Sequence, residues 1–222
     1  MKKLNKIMLI LSLLPTLLTS VFIFFMNDTV PMHYNASGAV DRYGSKYENF
    51  ILPAIILFMY AFYMVYTKIY TKYSTNSVEK INNNAKITAI HVTSIIAAFN
   101  ILQLIFLILA VLKPDSTTFT DNVPFIINTV MGLMLIIAGN FLPKTKRNSF
   151  IGVRTSWTKS SDLAWYESNR AGGIAFVVTG VLTIIESSFI KGINSTIIMV
   201  AILLISIAVA YIYAYVKVKK SA

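Results

Sequence analysis

A predominantly apolar stretch of roughly 20 residues is what an α-helix needs to cross about 30 Å of hydrocarbon. This chain holds six of them, at Ile7–Met26, Phe50–Tyr66, Ile87–Leu112, Pro124–Leu142, Ile174–Ile190 and Ser195–Tyr215. Inside lipid, backbone N–H and C=O groups must be satisfied within the spanning segment, which leaves helices as the solution for isolated apolar runs. The chain is therefore expected to be an all-α integral membrane protein with about six transmembrane helices. Only 13% of its residues are charged, about half the share of a soluble domain, and 56% are hydrophobic. The first run follows Lys2, Lys3 and Lys6 and could be a secretory leader, but Phe22, Phe24, Phe25 and Met26 stand where a cleavage site needs small residues. It reads as a retained helix.

Orientation follows from the basic residues. When connections are assigned alternately to the two faces, Arg42, Lys46, Lys113 and Lys191 fall on one side and the other sixteen of the twenty on the opposite side. An excess of Lys and Arg marks the cytoplasmic face, so both termini are expected inside. The net charge of +11, which in a soluble chain would suggest nucleic acid, is then explained by topology and by attraction to the anionic inner leaflet of the lipid bilayer. No nucleic-acid partner is expected. Cysteine is absent, which removes thiol nucleophiles, disulfides and thiolate metal sites. The polar segment Thr71–Asn84 reads as a solvated connector, dividing residues 1–86, an N-terminal helical pair, from residues 87–222, a four-helix region.

Two connections carry unusual content. The outer loop reads PMHYNASGAVDRYGSK from Pro31 to Lys46. Pro31 favours an extended start, while Asn35, Gly38 and Gly44 favour turns, so a compact loop is expected. One histidine and one carboxylate, His33 and Asp41, are too few for a metal site, and a loop-stabilising hydrogen-bond cluster is the better reading. The inner loop runs Pro143–Gly173. Ser160 or Ser161 can cap a short helix with Asp162 in its first turn, running toward Gly172. Trp157 and Trp165 suit either a headgroup anchor or a recognition surface, and the residue types leave both open.

Within the spans, Asn100, Gln103, Asn128 and Asn140 can hydrogen-bond between helices, or line a path if the chain is a small transporter or channel. His91 and Glu186 lie near helix ends, where interfacial solvation accounts for them. No nucleophile elbow, zinc-protease helix, phosphate loop or paired carboxylates occur, so no enzyme activity, catalytic residue, metal or cofactor is expected.

The outer loop resembles the P-x-H-x-N-x-x-G-x-x-D-x-x-G-S-K signature, and the segment N-S-F-I-G-V-R-T-S-W-T-K-S-S-D-L-A-W-Y-E-S-N-R-A-G-G the second signature, of the SdpI-type bacterial immunity proteins. Ser156 stands where proline is usual, and Asn169 where histidine is common. The resemblance implies a multi-pass protein of the cytoplasmic membrane that protects its cell against a peptide toxin. In some relatives this is combined with holding a transcriptional repressor at the inner face. Carried onto matching positions, it places outer contacts at His33, Asn35, Gly38, Asp41, Gly44 and Lys46. Inner-face roles fall to Asn148, Gly152, Arg154, Thr155, Trp157, Trp165, Arg170 and Gly173.

Overall fold

The computed structural model describes residues 1–35, 40–112, 117–148 and 150–221. Gly38, Lys113 and Asp115 lie outside the described residues. Among the described residues six helices, α1 (Lys2–Phe22), α2 (Ile51–Tyr73), α3 (Val78–Leu112), α4 (Thr117–Phe141), α5 (Asp162–Ser187) and α6 (Ile193–Ser221), form the body. Each is long and apolar enough to span a membrane, as the sequence predicts. The loop between α1 and α2 adds a feature that the helical reading lacks. It is an antiparallel hairpin of β1 (Thr29–Tyr34) and β2 (Val40–Ser45), followed by a 3-10 turn at Lys46–Phe50 that leads into α2.

Helix α3 is the longest element, and it corrects the expected connector. Its first turns use Glu79, Lys80 and the run Asn82–Asn84, so only residues 74–77 remain between α2 and α3. Ser77 accepts from the Lys80 N–H and starts the helix early, and the polar turns extend it beyond the apolar run. Along its length α3 packs on α1 and α2, with Met8, Ile56, Tyr63, Ala89 and Ile96 forming the buried centre.

Helix α1 contains Pro15, whose ring has no N–H to give to the carbonyl of Leu11. In lipid that orphan acceptor would be costly. Asn100 of α3 fills the gap, its amide donating to the Leu11 carbonyl at 2.9 Å.

The second group, α4, α5 and α6, is built on glycine. Helices α4 and α5 run antiparallel, with Gly132 facing Gly180 and Gly139 facing Gly173. A Cβ on Gly180 would stand 2.4 Å from the Gly132 carbonyl, and one on Gly139 2.4 Å from that of Gly173. Each pair repeats after seven residues, two helical turns, so both contacts fall on one stripe and the backbones touch. For this reason Gly172 and Gly173 do not end the short helix expected near them. Helix α5 begins where Ser161 caps the Ala164 N–H, as predicted, and continues through both glycines to Ser187.

Because Gly180 meets backbone on the opposite helix, Gly180→Val should overpack the seam at a cost of about 1–3 kcal/mol or more. Gly172→Ala, whose added carbon would meet only the side chains of Val153 and Leu142, should cost less. Thermal unfolding of both purified variants checks the order, and a Gly180→Val melting point equal to that of wild type would contradict the backbone contact.

Candidate functional site

The two signature loops sit at opposite ends of the bundle, and each is fixed to α3. At the hairpin end, Val30 points inward and is 1% exposed, packed with Met26, Leu107 and Ala110. Gln103, buried in α3, donates to the Thr19 hydroxyl at 2.9 Å and to the Asn49 carbonyl at 3.0 Å, tying α1, the hairpin's exit and α3 together. Lys46 closes the hairpin base twice. Its N–H donates to the Asp28 carbonyl at 3.0 Å and its ammonium pairs with the Asp28 carboxylate at 2.9 Å. That hydrogen bond holds the Lys46 pKa above the ordinary lysine value.

The strands are irregular where the chemistry is concentrated. Pro31 pairs with Tyr43, His33 with Arg42 and Tyr34 with Val40, so Met32 is an extra residue on β1 and Asp41 on β2. Such bulges re-aim side chains. Met32 turns to the apolar cluster over α3, while His33 faces out beside Asp41, with Nδ1 2.6 Å from Oδ1. The ring nitrogen must carry the proton in that contact, because an ionised carboxylate only accepts. Arg42 donates to the Glu48 carboxylate, which draws the Glu48 pKa below the ordinary carboxylate value. Glu48 also accepts from the Ser45 N–H, completing a capping box with Ser45. Gly44 is required by this fold-back, since a side-chain carbon there would collide with the Glu48 carboxylate and with Met32. Of the six outer positions, His33 and Asp41 present exposed side chains, Asn35 is exposed, Lys46 is held at the base and Gly44 makes room for Glu48. Arg42 shares the exposed strand face.

At the opposite end the loop from Leu142 to Ser161 is ordered by side-chain amides. Asn148 accepts from the N–H groups of Phe150 and Ile151 at 2.7 and 2.8 Å and donates to the Lys146 and Ile151 carbonyls. Asn84 of α3 pairs with both backbone groups of Lys146, accepting at 2.9 Å and donating at 3.1 Å, and Asn83 donates to the Lys144 carbonyl at 2.8 Å. These two asparagines lie in the segment expected to be solvated, and only the triple-Asn run hinted at them.

Trp165 is 3% exposed, and its indole N–H donates to the Thr145 carbonyl at 2.9 Å. It is therefore an internal bracket, which rules out the headgroup-anchor reading for this residue. Gly152 lies on it with φ +122°, a backbone state open to glycine, and a Cβ there would strike Trp165 and Asn169. Asn169 is fully buried, accepting from the Val153 N–H at 2.9 Å and donating to the Trp165 carbonyl at 2.8 Å. A histidine, with one donor and one acceptor nitrogen, could fill the same two roles. Thr155 and Thr158 bond to each other across a turn, and Thr158 donates to the Val153 carbonyl at 2.7 Å. Trp157 instead reaches α6, lying against Tyr211 and Tyr215 with ring centres 5.7 and 5.4 Å away. Arg154 and Arg170 are the exposed members of the set, while Gly173 belongs to the α4–α5 seam. Glu167, buried and paired with Lys217 at 2.9 Å, was not singled out by sequence. Nothing but its helical phase could have shown that it faces α6.

Among the described residues no three His, Asp or Glu side chains converge in a way that could hold a metal. The interior amides pair between helices: Asn100 with the Leu11 carbonyl, Gln103 with Thr19 and Asn49, and Asn128 with Ser195 at 2.6 Å.

Both loops fall within regions that match known families. Residues 10–57, which include the hairpin, match the Domain of unknown function (DUF1648), and residues 144–214, which include the amide-ordered loop, match the SdpI/YfhL protein family. The chain is also 26% identical over 190 residues to the Immunity protein SdpI of Bacillus subtilis (strain 168), covering 85% of this chain and 83% of that one. No solved structure matches it. The two family regions thus fall in order along the six-helix body, and the chain is similar to the SdpI/YfhL protein family over residues 144–214.

Proposed function

We propose that this multi-pass membrane protein protects the cell that makes it against a membrane-active peptide toxin. In this reading it lies in the bacterial cytoplasmic membrane with both termini inside and the hairpin outside. The observation that carries it is the build of the hairpin. Val30, Gln103 and Lys46 fix its backbone to the bundle, while the polar face of His33, Asp41 and Arg42 stays in water, with side-chain exposures of 64%, 42% and 56%. A face that is rigid before contact loses little ordering entropy on binding. Its alternating charges suit a peptide carrying both signs. The contacts would come from His33, Asn35, Gly38, Asp41 and Arg42, with Gly44 and Lys46 maintaining the shape. The relative's immunity function supports the same reading.

A second reading, recruitment of a cytoplasmic repressor to the amide-ordered loop, is supported by α3. Gln103 at one end holds the hairpin and Asn84 at the other holds the loop, 19 residues or about 28 Å apart along one helix. A displacement of the hairpin has a rigid route to Arg154, Lys159 and Arg170.

Expression in sensitive cells lacking any homologue should raise survival under a panel of membrane-active peptides. Asp41→Ala and Arg42→Ala should abolish the gain at unchanged membrane levels, and absence of protection by the wild-type chain would count against the reading. Because the chain has no cysteine, single probes can report orientation. Tyr43→Cys should react with an impermeant maleimide on intact cells and Lys159→Cys only after lysis, and the reverse pattern would invert the topology. For the repressor reading, reversing charge at Arg154, Lys159 and Arg170 together should remove cytoplasmic partners from a pull-down. If every partner is retained, that reading fails.

A further inference from the structure

The group α4, α5 and α6 buries a set of oxygens that neither loop uses. Several serines and threonines in the other spans return their hydroxyls to the carbonyl four residues back, as Ser12, Thr88 and Thr93 do at 2.7–2.8 Å, although the buried Thr16 hydroxyl of α1 does not. Thr179 and Thr183 of α5 are fully buried, yet neither hydroxyl has a partner. One turn beyond Thr183, toward the hairpin end, Glu186 accepts from Ser195 of α6 at 2.9 Å through Oε1, while its Oε2 is buried without a partner. Ser195 in turn accepts from the buried Asn128 of α4, whose own oxygen accepts from Thr196 at 3.3 Å. Three helices thus bring a carboxylate, an amide and hydroxyls together at one end of the bundle, with two oxygens left over on adjacent turns.

A buried carboxylate oxygen without a donor is costly, and a buried hydroxyl oxygen without one adds to the cost. A bound cation would give both the Glu186 and the Thr183 oxygens the partner they lack. All of the available donors are hard oxygens, which selects against soft transition metals. The single carboxylate supplies one negative charge, whereas calcium sites usually gather several. We propose that Glu186, Thr183, Asn128 and Ser195 form a binding site for one alkali cation of the Na+ class, which clamps α5 to α4 and α6. Ligation through Asn128 requires its amide to turn its oxygen toward Glu186, an exchange of O and N positions that leaves the side-chain shape unchanged.

The site does not depend on the immunity reading and is tested on the purified full chain in lipid nanodiscs. The wild type should retain ²²Na+ in excess of empty discs. Its melting temperature should rise by about 3–6 °C when NaCl at ten times the Kd replaces choline chloride at equal ionic strength. Glu186→Gln should abolish both effects, and Thr183→Val, which keeps the shape of the side chain, should weaken Na+ binding by about tenfold. If Glu186→Gln does not fold, Thr183→Val carries the test. Equal melting in NaCl, KCl and choline chloride would overturn the proposal, whatever the pH dependence. So would Na+ retention by folded Glu186→Gln at the wild-type level.

Discussion

A backbone inside lipid has no water to fall back on, and this fold is organised around α3 supplying what its neighbours lack. The Leu11 carbonyl, left open by Pro15, takes its hydrogen bond from Asn100. The Asn49 carbonyl, where the hairpin re-enters the helices, takes one from Gln103. Beyond the apolar run, Asn84 completes both backbone groups of Lys146. These three amides convert α3 from a spanning segment into a spine that positions everything on both faces. Asn100 and Gln103 inside the spans are thus engaged with neighbouring elements rather than lining an aqueous stripe.

The number and rough position of the spans were legible because apolar length is a one-dimensional property, and lipid imposes it on every helix alike. The caps were legible too, Ser161 and Asp162 being local chemistry. What stayed hidden depends on pairing across the chain. Gly132, Gly139, Gly173 and Gly180 are unremarkable singly, and their meaning lies in two matching seven-residue intervals on antiparallel partners. Gly172 and Gly173 suggested a helix end because glycine usually marks one, but here the lost side chain is used for contact with α4. The asparagines at 82–84 suggested a linker, because no local rule separates an amide facing water from one facing a distant carbonyl.

The same division runs through the candidate site. His33 and Asp41, eight residues apart, were an evident pair, and the cross-strand contact places them together. The bulges that aim them, and the reason for Gly44, belong to the register and could not be read from the loop's composition. At the other end, Trp157 and Trp165 carry identical side chains in one basic segment, yet one lies against the tyrosines of α6 while the other is sealed beneath the loop. Residue type left both open to anchor or recognition roles, and only the placement of Trp165 on α5 and of Trp157 in the loop before it separates them.

A membrane protein that works through its surfaces needs loops that keep their shape without a soluble domain behind them. Short connections achieve this by secondary structure at one face and by amides at the other. The hairpin uses ladder hydrogen bonds and a capping box, whose backbone partners are local and cheap to order. The longer loop has no ladder, so Asn148, Asn169, Thr155 and Thr158 each bind backbone groups that regular structure would have paired. Several of the signature positions thus serve to hold the shape of the loops, and under the proposed function recognition would fall to the few exposed side chains between them. A substitution at a buried signature residue would then remove activity by loosening the platform. One at His33, Asp41 or Arg170 would do so while the platform stays intact, and measuring stability beside activity separates the two groups.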